Sequence, residues 1–408
     1  MKILTFTTLY PNAAAPNHGV FVENRLRALV ETGTVEPFVL APVPYFPSSH
    51  SWFGSWARHA AAPRTEARHG IQVVHPRFPT IPKLGMHAAP FLMAAALDGV
   101  LRRLQRNDFD FDLIDAHYLY PDGVAAVLLG RRLGKPVVLT ARGSDVNQIA
   151  HHPIPRRLIR WACEQAAGVV TVSETLRSGL RRIGVDRPDI AVLRNGVDLD
   201  LFRPQDRAAA KSALGLAGPV VASVGHLVPR KGHDLALRAL RDLPGVTMLM
   251  VGEGLERARL EALADRLGLT PRVRFTGAVA HAETVGIYNA ADVLVLASTR
   301  EGLPNVVLES LACSTPVVAS AVWGTPEVLT APEAGLLVQE RTPEAFAAAL
   351  RAVLAAPPPC ERVRAFALRF GWEPTVAGLQ AVFAAALGGA AAGRDGPVAK
   401  ARTLSSAA

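Results

Sequence analysis

The chain has 408 residues, half of them hydrophobic and 19% charged, which excludes a disordered polypeptide and provides for two or three packed domains. Lysine and arginine (44) outnumber aspartate and glutamate (35), and a net charge of +9 points to an acidic partner: nucleic acid, a phosphorylated metabolite or an anionic membrane surface. The excess is uneven, with 24 Lys/Arg against 17 Asp/Glu in residues 1–205 and 20 against 18 in the remainder. Cys163, Cys313 and Cys360 fit neither a metal cluster nor a disulfide framework, and suit a reducing cytosol. The opening lacks a signal-peptide shape, and no stretch reaches the roughly 18 uninterrupted apolar residues of a bilayer span, so a cytoplasmic location is expected.

In chain order, short β-branched runs alternate with helical periodicity. Strands are predicted over 3–7, 35–41, 71–77, 113–116, 137–140, 169–172 and 190–193, with helices over 21–31, 91–105, 123–133 and 156–166. The runs lack strict alternation, as expected of strands buried on both faces. A second series follows, with strands over 220–224, 246–251, 273–276, 293–296, 317–319 and 336–338 and helices over 233–241, 255–267, 282–289, 304–311 and 343–354. Alternation of β and α twice over predicts an α/β protein of two doubly wound parallel-sheet domains, residues 1–203 and 204–360. After three consecutive prolines, Pro357 to Pro359, a helical segment over 361–387 is expected, placed to pack back on the first domain. The Ala/Gly/Ser-rich tail, 388–408, is expected to be disordered.

Ligands of open parallel sheets bind where strands end and helices begin. Val224 to His233 follows a strand, and its adjacent Arg230 and Lys231 combine a planar fork with a point charge suited to a diphosphate. A solvated basic loop is the plainer reading of that segment. The stretch from Ser298 to Ser310 places Glu301 after a strand, Pro304 at a helix start and Glu309 near the second turn. The amides of Asn305 and Val306 are free to accept an anion, and the two carboxylates suit hydroxyl-rich groups. Both come from one strand–helix turn, which argues against a hydrolase with opposed carboxylates. In the first half, Gly19 opens a helix after the first strand, His117 ends another strand, and Arg142 and Asp145 follow the next. A lone histidine such as His117 is more often structural than functional. There is no Walker pattern and no GxGxxG.

These residues together resemble family 4 (group 1) glycosyltransferases of GT-B fold, in which two Rossmann-like domains face each other. The most specific element is Glu301-Gly-Leu-Pro-Asn-Val-Val-Leu-Glu309, which matches the family's Glu-x7-Glu motif. The 225–232 loop, Asn195-Gly196-Val197-Asp198, the 252–254 loop and Thr315-Pro316-Val317-Val318-Ala319 agree in order and spacing. Leu9-Tyr10-Pro11 with Gly19-Val20-Phe21-Val22, and Ala141-Arg142-Gly143-Ser144-Asp145, look like the branch that builds bacterial teichuronic acid or exopolysaccharide. The resemblance implies retaining transfer from a nucleotide-diphosphate sugar, a UDP- or GDP-sugar, without a metal or other cofactor. The acceptor it implies is a glycan or a polyprenyl-diphosphate-linked sugar, in line with the basic first half.

By position, the resemblance assigns the diphosphate to Arg230 and Lys231 and the ribose hydroxyls to Glu309. Glu301 would contact the donor sugar and support charge at its reacting carbon, with Asn305 and Val306 assisting. Gly19 would admit the phosphate from the other domain, and His117 would meet the sugar near the reacting centre. His117, Arg142 and Asp145 are the expected acceptor-side residues. Departures from the family pattern are His18 before Gly19, His226 where Arg is frequent and Ser314 where Gly is frequent. A non-hydrolysing nucleotide-sugar epimerase and a non-catalytic two-domain sugar-binding protein are the competing readings. A nucleic-acid partner is not expected, since zinc spacing, an RNA-binding aromatic signature and a dense basic helix are all missing. Residues 45–69 mix Tyr45, Phe46, Trp52, Phe53 and Trp56 with Arg58, Arg64 and Arg68. They read equally as an anionic-membrane contact or as an acceptor-side loop with its aromatics packed inward.

Overall fold

The computed structural model describes residues 1–80, 85–107 and 109–394. Two parallel sheets organise it. The first has eight strands in the spatial order Ala191–Val192, Gly168–Thr171, Val137–Ala141, Leu113–His117, Lys2–Phe6, Glu36–Leu40, Ile71–Val74 and Thr65–Arg68. The second has six, in the order Val273–Gly277, Thr247–Val251, Val220–Val224, Val293–Leu296, Val317–Ser320 and Gly335–Val338. In each sheet the strand that comes first in sequence lies centrally, and the chain then builds outward in both directions. The strand order therefore reverses beside Lys2–Phe6 and beside Val220–Val224, which opens a crevice at the carboxyl ends of both. Strands such as Leu113–His117 and Val220–Val224 are buried along their whole length, because helices cover both sheet faces.

The edge strand Thr65–Arg68 runs antiparallel to Ile71–Val74 and escaped sequence reading. Its four residues Thr-Glu-Ala-Arg carry no apolar run, and their charges suit an edge that must not recruit another chain. The helix predicted over 91–105 is longer, Gly85–Asn107, and runs through Pro90. Proline cannot donate to the carbonyl four residues back, that of Met86, and the Tyr120 hydroxyl donates to this carbonyl instead. The helix thus tolerates its proline because a neighbouring element satisfies the orphaned acceptor.

The C-terminal part differs from expectation. One helical segment was predicted over 361–387, whereas the chain forms two helices, Cys360–Ala367 and Glu373–Arg394. The first packs on the helix Asn305–Ala312 of the second domain and reaches the end of the first domain. Its Arg364 donates to the carbonyls of Leu199, Phe202 and Ala312 at 2.6–2.8 Å. The break falls at Gly371-Trp372, and Pro374 starts the second helix in a position that needs no amide. That helix crosses back to the first domain. Val376, Leu379, Phe383 and Ala386 join one apolar cluster with Ile3, Leu113, Val138 and Val170 on the first sheet. Full burial of a side chain such as Phe383 is worth about 1.5–3 kcal/mol, so this crossing ties the two domains together at their back. Of the tail expected to be disordered, residues 388–394 continue this helix, and 395–408 lie outside the described residues.

Candidate active site

A cavity of about 1240 Å³ opens between the two sets of strand ends. Thr8, His18 and Phe21 line it from the first domain, and Gly225, His281 and Glu309 from the second.

On the second domain the loop after Val220–Val224 brings Lys231 against the loop after Val293–Leu296. The Lys231 ammonium lies 2.6 Å from Glu301 Oε1, and the Ser298 hydroxyl donates to the same oxygen at 2.6 Å. Glu301 Oε2 receives no hydrogen bond among the described residues. Burial alone would raise the Glu301 pKa, but Lys231, Ser298 and the nearby Arg230 outweigh it and hold the carboxyl below its ordinary value. Arg230 accepts the Thr299 amide at its carbonyl (2.8 Å), which pins the two loops together. Its half-buried guanidinium makes no hydrogen bond or ion pair among the described residues. The pair thus offers one free cation and one cation already matched to a carboxylate.

Glu309 sits on the helix Asn305–Ala312, one wall of the cavity, with Asn305 and Val306 lining it as well. Its two oxygens are held from different directions: the His281 ring lies 2.9 Å from Oε1, and the Tyr288 hydroxyl donates to Oε2 at 2.7 Å. Phe202 packs edge-on against both rings. Burial lowers the His281 pKa, yet the hydrogen bond and charge of Glu309 outweigh this and raise it. His281 and Tyr288 were not singled out in the sequence. Tyr288 reads there as an apolar helix position, and His281 as a polar residue before a helix start.

The first-domain residues behave differently from expectation. Gly19 opens the helix Val20–Glu31 at φ 74°, and a Cβ there would lie 2.3 Å from the carbonyl of Leu9. Glycine is needed for that close approach of two chain segments, and the cavity wall beside it is formed by His18 and Val20. His117 was expected to meet the sugar. It is 1% exposed and does not line the cavity. Its Nε2 lies 3.0 Å from Asp115, and its Nδ1 accepts from Arg142. Burial, aided by Arg142 and Arg25 and opposed by Asp115, pushes the His117 pKa down to about 3, so the ring is neutral. Burial raises Asp115, but His117, Arg25 and Arg142 outweigh it and hold this carboxyl well below the usual range.

Arg142 and Asp145 were expected on the acceptor side, and both are turned into the protein. The Asp145 carboxylate is fully buried and accepts the amides of Leu119, Arg142, Gly143 and Val146 at 2.7–3.2 Å. Burial raises its pKa against the pull of those four amides, and its task is to shape the loop after Val137–Ala141. The Arg142 guanidinium lies over the ring of Phe21, 5.3 Å from its centroid, and donates to Asn195 Oδ1 at 2.9 Å.

The domains meet at several places around the cavity, and Asn17 donates to the Val279 carbonyl at 2.9 Å at one of them. Gly302, next to Glu301, abuts the Arg142 backbone so closely that a Cβ would lie 2.2 Å from its carbonyl oxygen. Asn195 donates to Asn305 Oδ1 at 2.9 Å. Glu327 of the second domain accepts the amides of Glu174 and Thr175, the first turn of the helix Glu174–Arg182, at 2.9 and 2.8 Å. The Thr175 hydroxyl and Arg194 complete its shell, both at 2.9 Å.

The chain is similar to known proteins over most of its length. A model described as Glycosyl transferases group 1 matches residues 204–369, and one described as Glycosyltransferase Family 4 matches residues 19–201. A D-inositol 3-phosphate glycosyltransferase of Segniliparus rotundus is 35% identical over 329 residues, 74% of this chain and 72% of that protein. The Bacillus subtilis protein that carries the name teichuronic acid biosynthesis glycosyltransferase TuaC is 30% identical over 359 residues, 86% of this chain and 88% of its own. Among solved structures, sucrose-phosphate synthase from Thermosynechococcus elongatus superimposes with a TM-score of 0.76 at 22% identity, covering 94% of this chain and 98% of that one. The Anabaena protein HepE in complex with UDP does so with a TM-score of 0.71 at 21% identity, covering 94% and 100%.

Proposed function

The chain belongs to the group 1, family 4 glycosyltransferases with the GT-B fold, and on that premise we propose that it moves a glycosyl group from a nucleoside-diphosphate sugar to a glycan or polyprenyl-diphosphate-linked acceptor. The transfer proceeds with retention at the anomeric carbon and needs no metal ion, and it serves the building of cell-surface polysaccharide. The observation that carries the donor class is a constellation on the second domain: Arg230 and Lys231 beside Glu301, just behind the cavity lining where Lys231 packs on Gly225, with Glu309 in the lining itself on the adjoining helix. A departing diphosphate develops negative charge, which fixed cations stabilise without reorganising. Arg230 meets it directly, and Lys231 shares its donors between phosphate and Glu301. Glu301, anionic and with Oε2 uncommitted, takes a sugar hydroxyl and opposes the positive charge at the reacting carbon. Glu309 accepts the ribose hydroxyls. Relatives support the donor class, since HepE is known in complex with UDP and with UDP-glucose.

The same reading includes a peripheral contact with an anionic membrane. Trp52 is 87% exposed, and Tyr45, Phe53 and Trp56 are exposed too, with Phe46 packed against Phe53 and Trp56. This outward display supports the interface reading of residues 45–69 over the inward-packed one. Arg68 takes no part, because it turns inward to Glu23 at 2.6 Å. Among the described residues, no helix is long and apolar enough to cross a membrane.

Thermal stabilisation by a panel of UDP- and GDP-sugars tests the donor class. Nuclear magnetic resonance of the first-formed product tests retention, and added EDTA tests metal independence. No stabilisation by any member of the panel would overturn the donor class, and an inverted first product would overturn retention. Co-sedimentation with vesicles tests the membrane contact: binding should require anionic lipid and weaken in Trp52→Ala. Equal binding to neutral vesicles, or none, would count against it.

A further inference from the structure

The buried polar residues beneath the cavity form one directional chain. The Asp115 carboxylate, ionised, can only accept, so His117 must present Nε2–H to it and leave Nδ1 as an acceptor. Arg142 fills that acceptor with one arm, and with the other donates to Asn195 Oδ1 at 2.9 Å. Arginine has donors only, so the amide of Asn195 has one permitted orientation, oxygen toward Arg142 and nitrogen toward Asn305. Asn195 Nδ2 then donates to Asn305 Oδ1 at 2.9 Å, across the domain boundary. Arg142 and Asn195 are 9% and 5% exposed, so water does not offer easy substitutes. With its oxygen committed, half-buried Asn305 has its NH2 as the group left for the cavity that it lines.

We propose that Arg142 and Asn195 are positioning residues which fix the side-chain polarity of Asn305, so that it presents a hydrogen-bond donor to the anionic or hydroxyl-bearing part of the nucleotide-sugar. The proposal rests on the donor-side reading above for its ligand, but the polarity argument itself rests on this chain of donors and acceptors alone. The relay starts in the first domain and ends on the donor helix of the second, so its last link exists only where the two domains meet. A hydrogen-bond chain of fixed sense does what loose packing cannot: it chooses which end of a nearly symmetric amide faces the ligand.

The decisive variant is Asn195→Asp. It keeps shape and strengthens the bond to Arg142, but it can no longer donate to Asn305, whose amide must turn and present its oxygen to the cavity. Calorimetry with UDP and UDP-glucose as probes should show affinity reduced at least 10-fold, with the unfolding temperature unchanged or raised. Asn195→Ala, which leaves Asn305 free to choose, should lose less than Asn195→Asp. In an Asn305→Ala background, Asn195→Asp should add less than a twofold effect. A full 10-fold loss in that background would overturn the relay, since the effect would then come from the new charge, as would unchanged affinity in Asn195→Asp. If the wild type binds neither probe, the donor reading fails on its own. The relay is then read from thermal unfolding, where Arg142→Met and Asn305→Ala should be non-additive and simple additivity would overturn it.

Discussion

Lys231 and Glu301 stand 70 positions apart in the chain, and their charged groups meet at 2.6 Å. The contact joins the ends of two strands that flank the point where the second sheet reverses its order. It sets a carboxylate against the Lys231 ammonium and helps hold Glu301 below its ordinary pKa. Glu301→Gln frees Lys231 and removes a negative charge near an anionic ligand. UDP should therefore bind as tightly as before or more tightly, while transfer falls by about 100-fold or more, as for loss of a group that acts on transition-state charge. Calorimetry and a transfer assay separate the two effects. Weakened UDP binding with undiminished transfer would contradict the role.

The same pair sets a pH dependence. The folded-state pKa of Glu301 lies below its ordinary value of 4.5. The unfolded chain therefore takes up this proton first as pH falls. The stability that Glu301 contributes is fully present above pH 4.5 and is lost as pH drops through the lower folded value. Urea midpoints between pH 6 and pH 3 should fall less steeply in Glu301→Gln than in the wild type.

Removing both cations, Arg230→Ala with Lys231→Ala, should slow transfer by about 100- to 1000-fold, the range expected when fixed charges at a leaving group are lost. Lys231→Ala alone also strands Glu301 in a buried site, so its unfolding temperature should fall further than that of Arg230→Ala. Equal melting temperatures for the two single variants would argue against the ion pair.

His281 holds one oxygen of Glu309, and its pKa is raised in the fold. Its contribution is therefore fully present below the ordinary value of 6.5 and is lost as pH rises through the folded value. UDP affinity should weaken over that rise in the wild type. His281→Ala should bind UDP about 10-fold more weakly at pH 6, about 1.4 kcal/mol, with a flatter pH profile. Tyr288→Phe should weaken UDP binding too, without altering the profile.

Ser314 adopts φ 59°, and its buried hydroxyl has no hydrogen-bond partner. A left-handed backbone costs a side-chain-bearing residue roughly 1–2 kcal/mol, and glycine gives back part of that gain through a freer unfolded chain. Ser314→Gly should stabilise the protein by about 1 kcal/mol and raise its unfolding temperature slightly, as differential scanning calorimetry would show. A lower unfolding temperature would mean that the strain is not released.

The fold is largely legible in the sequence. Long runs of buried β-branched residues, punctuated by helical periodicity, mark parallel strands wherever both sheet faces are covered, and 13 strands were placed in this way. Thr65–Arg68 was missed because an edge strand needs no apolar run, and the single helix expected over 361–387 proved to be two because Gly371 and Pro374 redirect the chain between domains. At the site, Glu301, Glu309, Arg230 and Lys231 stand out in the sequence as charged residues clustered in strand-to-helix loops. His281 and Tyr288 do not, since their importance lies in touching Glu309, from positions 28 and 21 residues before it.

By itself, then, the sequence determined two doubly wound domains, the loops at their strand ends and the chemistry that those loops offer. Hydrophobic patterning and turn chemistry are local properties, and they can be read one segment at a time. Only the tertiary structure decided which polar groups face the cavity and which face one another. His117, Arg142 and Asp145 looked like ligand-side residues because they follow strands, yet each is buried and its hydrogen-bonding groups are taken up largely inside the protein. A buried polar group must find a partner, and some of those partners come from distant parts of the chain: Leu119 for Asp145, and His117 and Asn195 for Arg142. The basic excess of the first half divides in the same way: Arg25 and Arg142 balance a buried network, and Arg58, at the cavity wall, stays outside that network.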